Sequence, residues 1–166
     1  MKRAWLLAPI VLMVVLMLAT WSRDRSAAQE PTAAQPALPM EAITIVTKNG
    51  QRHSFQVEVA TTTSQQTVGE MFRTSVPADG GMLFVWRAPR ESQMWMKNTL
   101  APLDMVFIDA DGTISAITED AVPQSLRIID SGGPVAATLE LAGGTTARLG
   151  IVVGDKVVGP QFHGSG

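Results

Sequence analysis

The sequence predicts one α+β, β-rich domain: a curled or barrel-like, mostly antiparallel sheet with one short helix after the first hairpin. Three observations predict it. Short runs of β-branched and aromatic residues recur between Gly, Asn, Asp and Pro turns. Only one early stretch is spaced like a helix, and 166 residues leave room for a single core of ordinary size.

The first strand falls in Glu41 to Thr47, with Ile43 and Ile45 on one face and Thr44 and Val46 on the other. Asn49-Gly50 then supplies the dipeptide of tight hairpins, and His53 to Ala60 answers with Phe55, Val57 and Val59 on one face. Thr61 to Thr63 offers N-caps for a helix over Ser64 to Phe72, where Val68, Met71 and Phe72 lie one turn apart and Gly69 is a weak point. After the break at Pro77 to Gly81, Met82 to Trp86 is apolar on both faces, as a buried strand requires.

Further strands are expected over Ser92 to Lys97, Asp104 to Ile108 and Thr113 to Glu119, separated by a Pro102 loop and an Asp109-Ala110-Asp111-Gly112 turn. Leu126 to Asp130 and Val135 to Leu141 follow, split by Ser131-Gly132-Gly133-Pro134. Thr145 to Leu149 fits one helical turn before Gly150, and Ile151-Val152-Val153 runs into a Gly154-Asp155 turn before Val157-Val158. The domain so defined runs over residues 40 to 158, with a flexible tail expected over 159 to 166.

Residues 1 to 28 read as a signal peptide or an N-terminal membrane anchor. Lys2 and Arg3 precede a charge-free run from Ala4 to Thr20, and Ser26-Ala27-Ala28 places small residues before Gln29. The basic start directs the remainder outward. Cleaved or anchored to the inner membrane by residues 4 to 20, the domain is expected outside, periplasmic or extracellular. Gln29 to Pro39, rich in Gln, Pro, Ala and Thr, has the composition of a disordered linker.

From residue 29 onward there are 9 Lys and Arg against 14 Asp and Glu, a net charge of −5. Such a domain lacks the basic footprint that nucleic acid demands. The chain has no cysteine, which excludes disulfides, thiolate zinc sites and thiol nucleophiles. His53 and His163 stand alone, so no histidine metal or catalytic spacing arises. Asp109-x-Asp111-Gly112 begins like a calcium loop but has no closing Glu, and it reads as a turn. The Gly132-Gly133 and Gly143-Gly144 pairs lack phosphate-loop spacing, so no cofactor is indicated.

Several stretches together follow one pattern: Gly69-Glu70-Met71-Phe72-Arg73, Gly81 to Trp86, Met94-Trp95-Met96-Lys97-Asn98-Thr99, Pro102 to Asp109, Leu139-Glu140-Leu141, and Gly150-Ile151 with Gly154-Asp155. Over residues 41 to 158 the chain resembles the exported bacterial and archaeal family called domain of unknown function 192. Glu70 stands where that family usually has Leu, and Met94 where it usually has an aromatic residue. The resemblance implies a compact β-rich α+β domain and no particular reaction.

The segment from Trp95 to Asp104 is the richest in polar chemistry. If the strands on either side of its loop pair as a hairpin, Lys97 and Asp104 come within side-chain reach. With Asn98 and Arg73 they form a polar floor, walled by Trp95 or Trp86, for a small polar or saccharide-like ligand. The alternative reading makes Lys97 and Asp104 a structural ion pair, Arg73 a helix-end cation and both tryptophans core. The favoured function is an exported, non-catalytic module binding such a ligand or an envelope component. Two others compete: an enzyme using Asp104 and Glu140 on envelope carbohydrate, and a structural or accessory envelope protein. The membrane is expected as a partner only through the N-terminal segment.

Overall fold

A computed structural model describes residues 30–162; the leader at 1–28 and the last tail residues, 163–166, lie outside them. The chain divides after Pro31, and the sheet belongs to the unit that begins at Thr32. Seven strands follow in chain order: β1 Met40–Val46, β2 Arg52–Ala60, β3 Gly80–Met94, β4 Leu103–Ile108, β5 Ile114–Ala121, β6 Ile129–Ala142 and β7 Lys156–Val158. Two short helices accompany them, α1 Thr63–Val68 and α2 Thr145–Leu149.

The spatial order is β5-β4-β6-β3-β2-β1-β7. Every neighbouring pair is antiparallel except β2 and β3, which run parallel from Gln56 opposite Gly80 to Ala60 opposite Phe84. A parallel pair needs a crossover, and the stretch bearing α1 provides it. The sheet is therefore curled and mixed, a half-barrel. Its two edges meet where Thr113 bridges Lys156 and the Val157 N–H donates to the Gly112 carbonyl at 2.8 Å. Gly112 has φ +83°, and a Cβ there would run into the Val157 carbonyl, so glycine is required at the closure.

Alternation fills the curl. Ile43, Ile45, Phe55, Val57, Leu83 and Leu139 belong to an inner core to which all seven strands contribute, sealed by Ile151 and Phe162. The opposite face of the central strands carries a second core built on Met82, Phe84, Met96, Met105 and Phe107, with Leu38 and Val76 packed on it. β4 is buried along its whole length because both of its faces are covered.

Several boundaries depart from the sequence reading. The runs at Met82–Trp86 and Ser92 onward are one strand, β3, and those at Leu126–Asp130 and Val135–Leu141 are largely one strand, β6. Register shifts between Val85 and Arg90 and between Glu91 and Gln93 absorb the turn-forming residues as bulges. α1 stops at Val68, short of Phe72. Gly69 turns out of the helix at φ +49°, where a Cβ would lie 2.9 Å from the Phe84 ring, and Phe72 itself has φ +63°. At the start of α1, Thr62 and Gln65 form a capping box.

The segments expected to be loose are held where they are described. Gln35 Nε2 donates to the Gln65 and Gly69 carbonyls at 3.1 and 3.0 Å, and the Leu38 N–H reaches Glu58 at 2.7 Å. Beyond β7, Phe162 is 8% exposed in the inner core, and Gln161 bonds Glu41.

Candidate functional site

The hairpin that would have set Lys97 against Asp104 does not form. β4 pairs with β5 and β6, never with β3, because β6 lies between them. Asp104 is fully buried, and one of its oxygens accepts the Asp120 and Gly144 N–H groups at 2.9 Å each. The other accepts the Thr146 N–H at 2.8 Å and the Thr146 hydroxyl at 2.7 Å. Burial alone would raise its pKa, but these four donors hold the carboxyl below its usual range. Asp104 thus ties β4 to the end of β5 and to the start of α2, and none of its bonds is to Lys97. Asp155 is a second buried carboxylate of this kind, accepting the Lys48 and Val152 N–H groups at 2.9 and 2.8 Å.

Trp95 and Lys97 do stay together. The Lys97 ammonium lies 5.1 Å from the centre of the Trp95 ring, and Trp95 is 42% exposed. Asn98, at φ +56°, accepts the Phe72 N–H on its carbonyl at 2.8 Å and places Nδ2 3.9 Å from the Met71 sulfur. The loop at 96–99 is thereby stapled to the loop at 69–73. It is also bonded to the 122–125 segment, through Met96 N–H to Ser125 and Gln124 N–H to Thr99.

Arg73, read from the sequence as part of the ligand floor or as a helix-end cation, belongs instead to a carboxylate cluster. It grips Glu58 with two parallel bonds of 2.7 and 2.9 Å and lies 3.4 Å from Glu70. Burial pushes Glu58 up, but Arg73 and the Leu38 N–H outweigh it and lower its pKa. Glu70 is 3% exposed, and burial raises its pKa, with the Glu58 charge adding to the effect and Arg73 opposing it. Glu140 lies opposite Met82 and Met105, 4% exposed, with one carboxyl oxygen lacking any hydrogen-bond partner. Burial raises its pKa well above 4.5, the Glu70 charge pushes the same way, and Arg73 only partly compensates. Sequence reasoning missed Glu58 and Glu70 as partners for Arg73, and weighed Glu140 as half of a hydrolytic pair with Asp104.

The carboxylate pair weighed for hydrolysis is not assembled. Met105, not Asp104, is the register partner of Glu140, so alternation sends Asp104 and Glu140 to opposite faces of the sheet. Among the described residues no cluster of His, Cys, Asp or Glu could hold a metal ion.

An open groove of about 330 Å³ lies between α1 and the far half of β3, lined by Thr63, Gln66, Trp86, Arg90, Gln93 and Trp95 among others. The Arg90 guanidinium sits 4.1 Å over the Trp86 ring. Gln66 spends both amide hydrogens on the Ala60 and Val85 carbonyls, which fixes α1 against β3 and leaves its oxygen as an acceptor. A larger groove of about 510 Å³, beside β5, has Glu119, Asp120, Arg127 and Asp130 in its lining but no aromatic side chain. Only the first offers a flat apolar face to stack on.

The sequence profile of domain of unknown function 192, described as "Uncharacterized ACR", matches residues 44–159. The chain belongs to this family. A crystal structure from Sinorhizobium meliloti 1021, described as a "putative transcription regulator", is 45% identical with a TM-score of 0.75, covering 78% of this chain and all of that one. A protein of unknown function from Novosphingobium aromaticivorans DSM 12444 is 39% identical with a TM-score of 0.71, covering 79% of this chain and 94% of that one. No curated protein matches. Within this member of the family, the Pro-Leu-Asp and Gly-Asp acids serve the backbone. Of the other signature segments, 94–99 gives Met94 and Met96 to the second core, while 139–141 gives Leu139 and Leu141 to the inner core and sets Glu140 opposite Met82 and Met105.

Proposed function

We propose that the chain is an exported, non-catalytic binding module whose groove beside Trp86 and Trp95 takes a small polar, saccharide-like ligand or an envelope component bearing one. The supporting observation is the groove itself, whose half-exposed indole can cover the apolar face of a sugar ring. Amide, hydroxyl and guanidinium groups around it can fix the ring's hydroxyls, and its volume suits one or two rings. Arg73, Asn98 and Asp104 pass from the expected ligand floor to roles in the scaffold, while Trp95 lines the groove with Lys97 beside its ring.

A nucleic-acid role, raised by the description of the Sinorhizobium structure, finds no support in a domain of net charge −5. The hydrolase reading loses its basis with Asp104 and Glu140 on opposite faces.

Thermal-shift and tryptophan-fluorescence titrations against a panel of neutral and acidic oligosaccharides test the binding role. At saturation the melting temperature is expected to rise by several degrees. Trp95→Ala is expected to weaken binding at least about tenfold while changing the stability of the free protein by less than about 1 kcal/mol. A panel in which nothing moves either signal sinks the proposal and leaves the accessory-protein reading.

Export rests on the basic start, the apolar run and the small residues before Gln29. Fractionation of cells making the full chain is expected to find the domain outside the cytoplasm. N-terminal sequencing then reads Gln29 onward if the leader is cut, and a domain protected from external protease in intact spheroplasts overturns export.

A further inference from the structure

We infer that the ligand of the tryptophan groove carries an anionic group and that Arg90 binds it, so that acidic saccharides such as uronates are its class. The inference rests on the binding role proposed above. Arg90 is the only charged residue in the lining of the groove, and no carboxylate lines it. Among the described residues Arg90 makes no salt bridge, its contact being the face of Trp86 at 4.1 Å.

The chemistry of the lining points the same way. A guanidinium 4.1 Å from an indole centre and without a carboxylate partner keeps N–H donors with which it can grip a carboxylate by two parallel bonds. In a domain that is acidic as a whole, a lining with a cation and no acid is a local exception. A neutral sugar would leave that cation unused, whereas a uronate satisfies it and still stacks its ring on Trp95.

Binding to the full chain is measured by calorimetry with a galacturonate trimer and with the same trimer methyl-esterified, which removes the charge and keeps the size. The acid is expected to bind at least about tenfold tighter at low salt, with the margin narrowing as salt rises. Arg90→Gln is expected to erase the difference between acid and ester, and Arg90→Lys to retain part of it. Melting curves of both variants establish that they fold, and the comparison of acid with ester on the unaltered protein stands even if they do not. Equal affinity for the two trimers, or a preference that survives Arg90→Gln, overturns the inference and leaves saccharide binding intact. Failure of both trimers and of neutral sugars to bind removes saccharide binding as well.

Discussion

Asp104→Ala is expected to lower the stability of the domain by about 3–5 kcal/mol, the cost of truncating the acceptor of a buried charged hydrogen-bond set. The substitution strands the Asp120, Gly144 and Thr146 N–H groups and the Thr146 hydroxyl at a position with no solvent exposure. Those donors come from two segments of the chain, so their loss loosens the end of β5 and α2 together. In a domain of this size the melting temperature should fall by roughly 10–25 °C, read by calorimetry or circular dichroism. Asp104→Asn keeps the shape but turns an NH₂ toward some of the same donors, and should cost about half as much. If Asp104→Ala instead melts like the parent and loses only ligand affinity, the carboxylate belongs to the binding site after all. The pH dependence has a definite sign. The folded pKa lies below the ordinary 3.8, so this contribution is complete above that value and is lost as pH falls through the folded one.

The elements closest to sequence-local physics were the most legible. Ile43, Ile45, Phe55 and Val57 alternate as a hairpin face must, and the Thr62 cap of α1 lies within the threonines that proposed it. What alternation cannot carry is the identity of neighbours. β6 enters between β3 and β4 from more than twenty residues away in sequence, and that one insertion dissolves the Lys97–Asp104 hairpin. The Ser131-Gly132-Gly133-Pro134 run looks like a strand break because local rules treat it as one, yet the long strand β6 holds it as irregular register. The donors to Asp104 lie 16 to 42 residues away and leave no local trace. Glu70 is the exception, since a Glu where the family pattern has Leu already marks a charge placed in an apolar position.

That charge and its neighbour lead to the second large effect. Glu140→Gln is expected to stabilise the domain at pH 8 by about 1–3 kcal/mol and to leave it nearly unchanged at pH 4, as measured by urea unfolding at the two pH values. Glu140 sits among Met82 and Met105 with an unpartnered oxygen, and Glu70 nearby has another. Arg73 cannot serve them fully because Glu58 already takes both of its strong bonds. The folded pKa of Glu140 is raised, so the native state keeps a proton that the unfolded chain gives up near the ordinary 4.5. Stability from this group is therefore greatest below that pH and declines as pH rises toward the folded value, opposite in sign to Asp104 and Glu58. The two trends oppose each other, and Glu140→Gln should flatten only the limb on which stability falls as pH rises. A variant that is no more stable than the parent at pH 8 would mean that the buried carboxylate finds a compensating partner when it ionises, and the cluster would then be a satisfied network rather than a strained one.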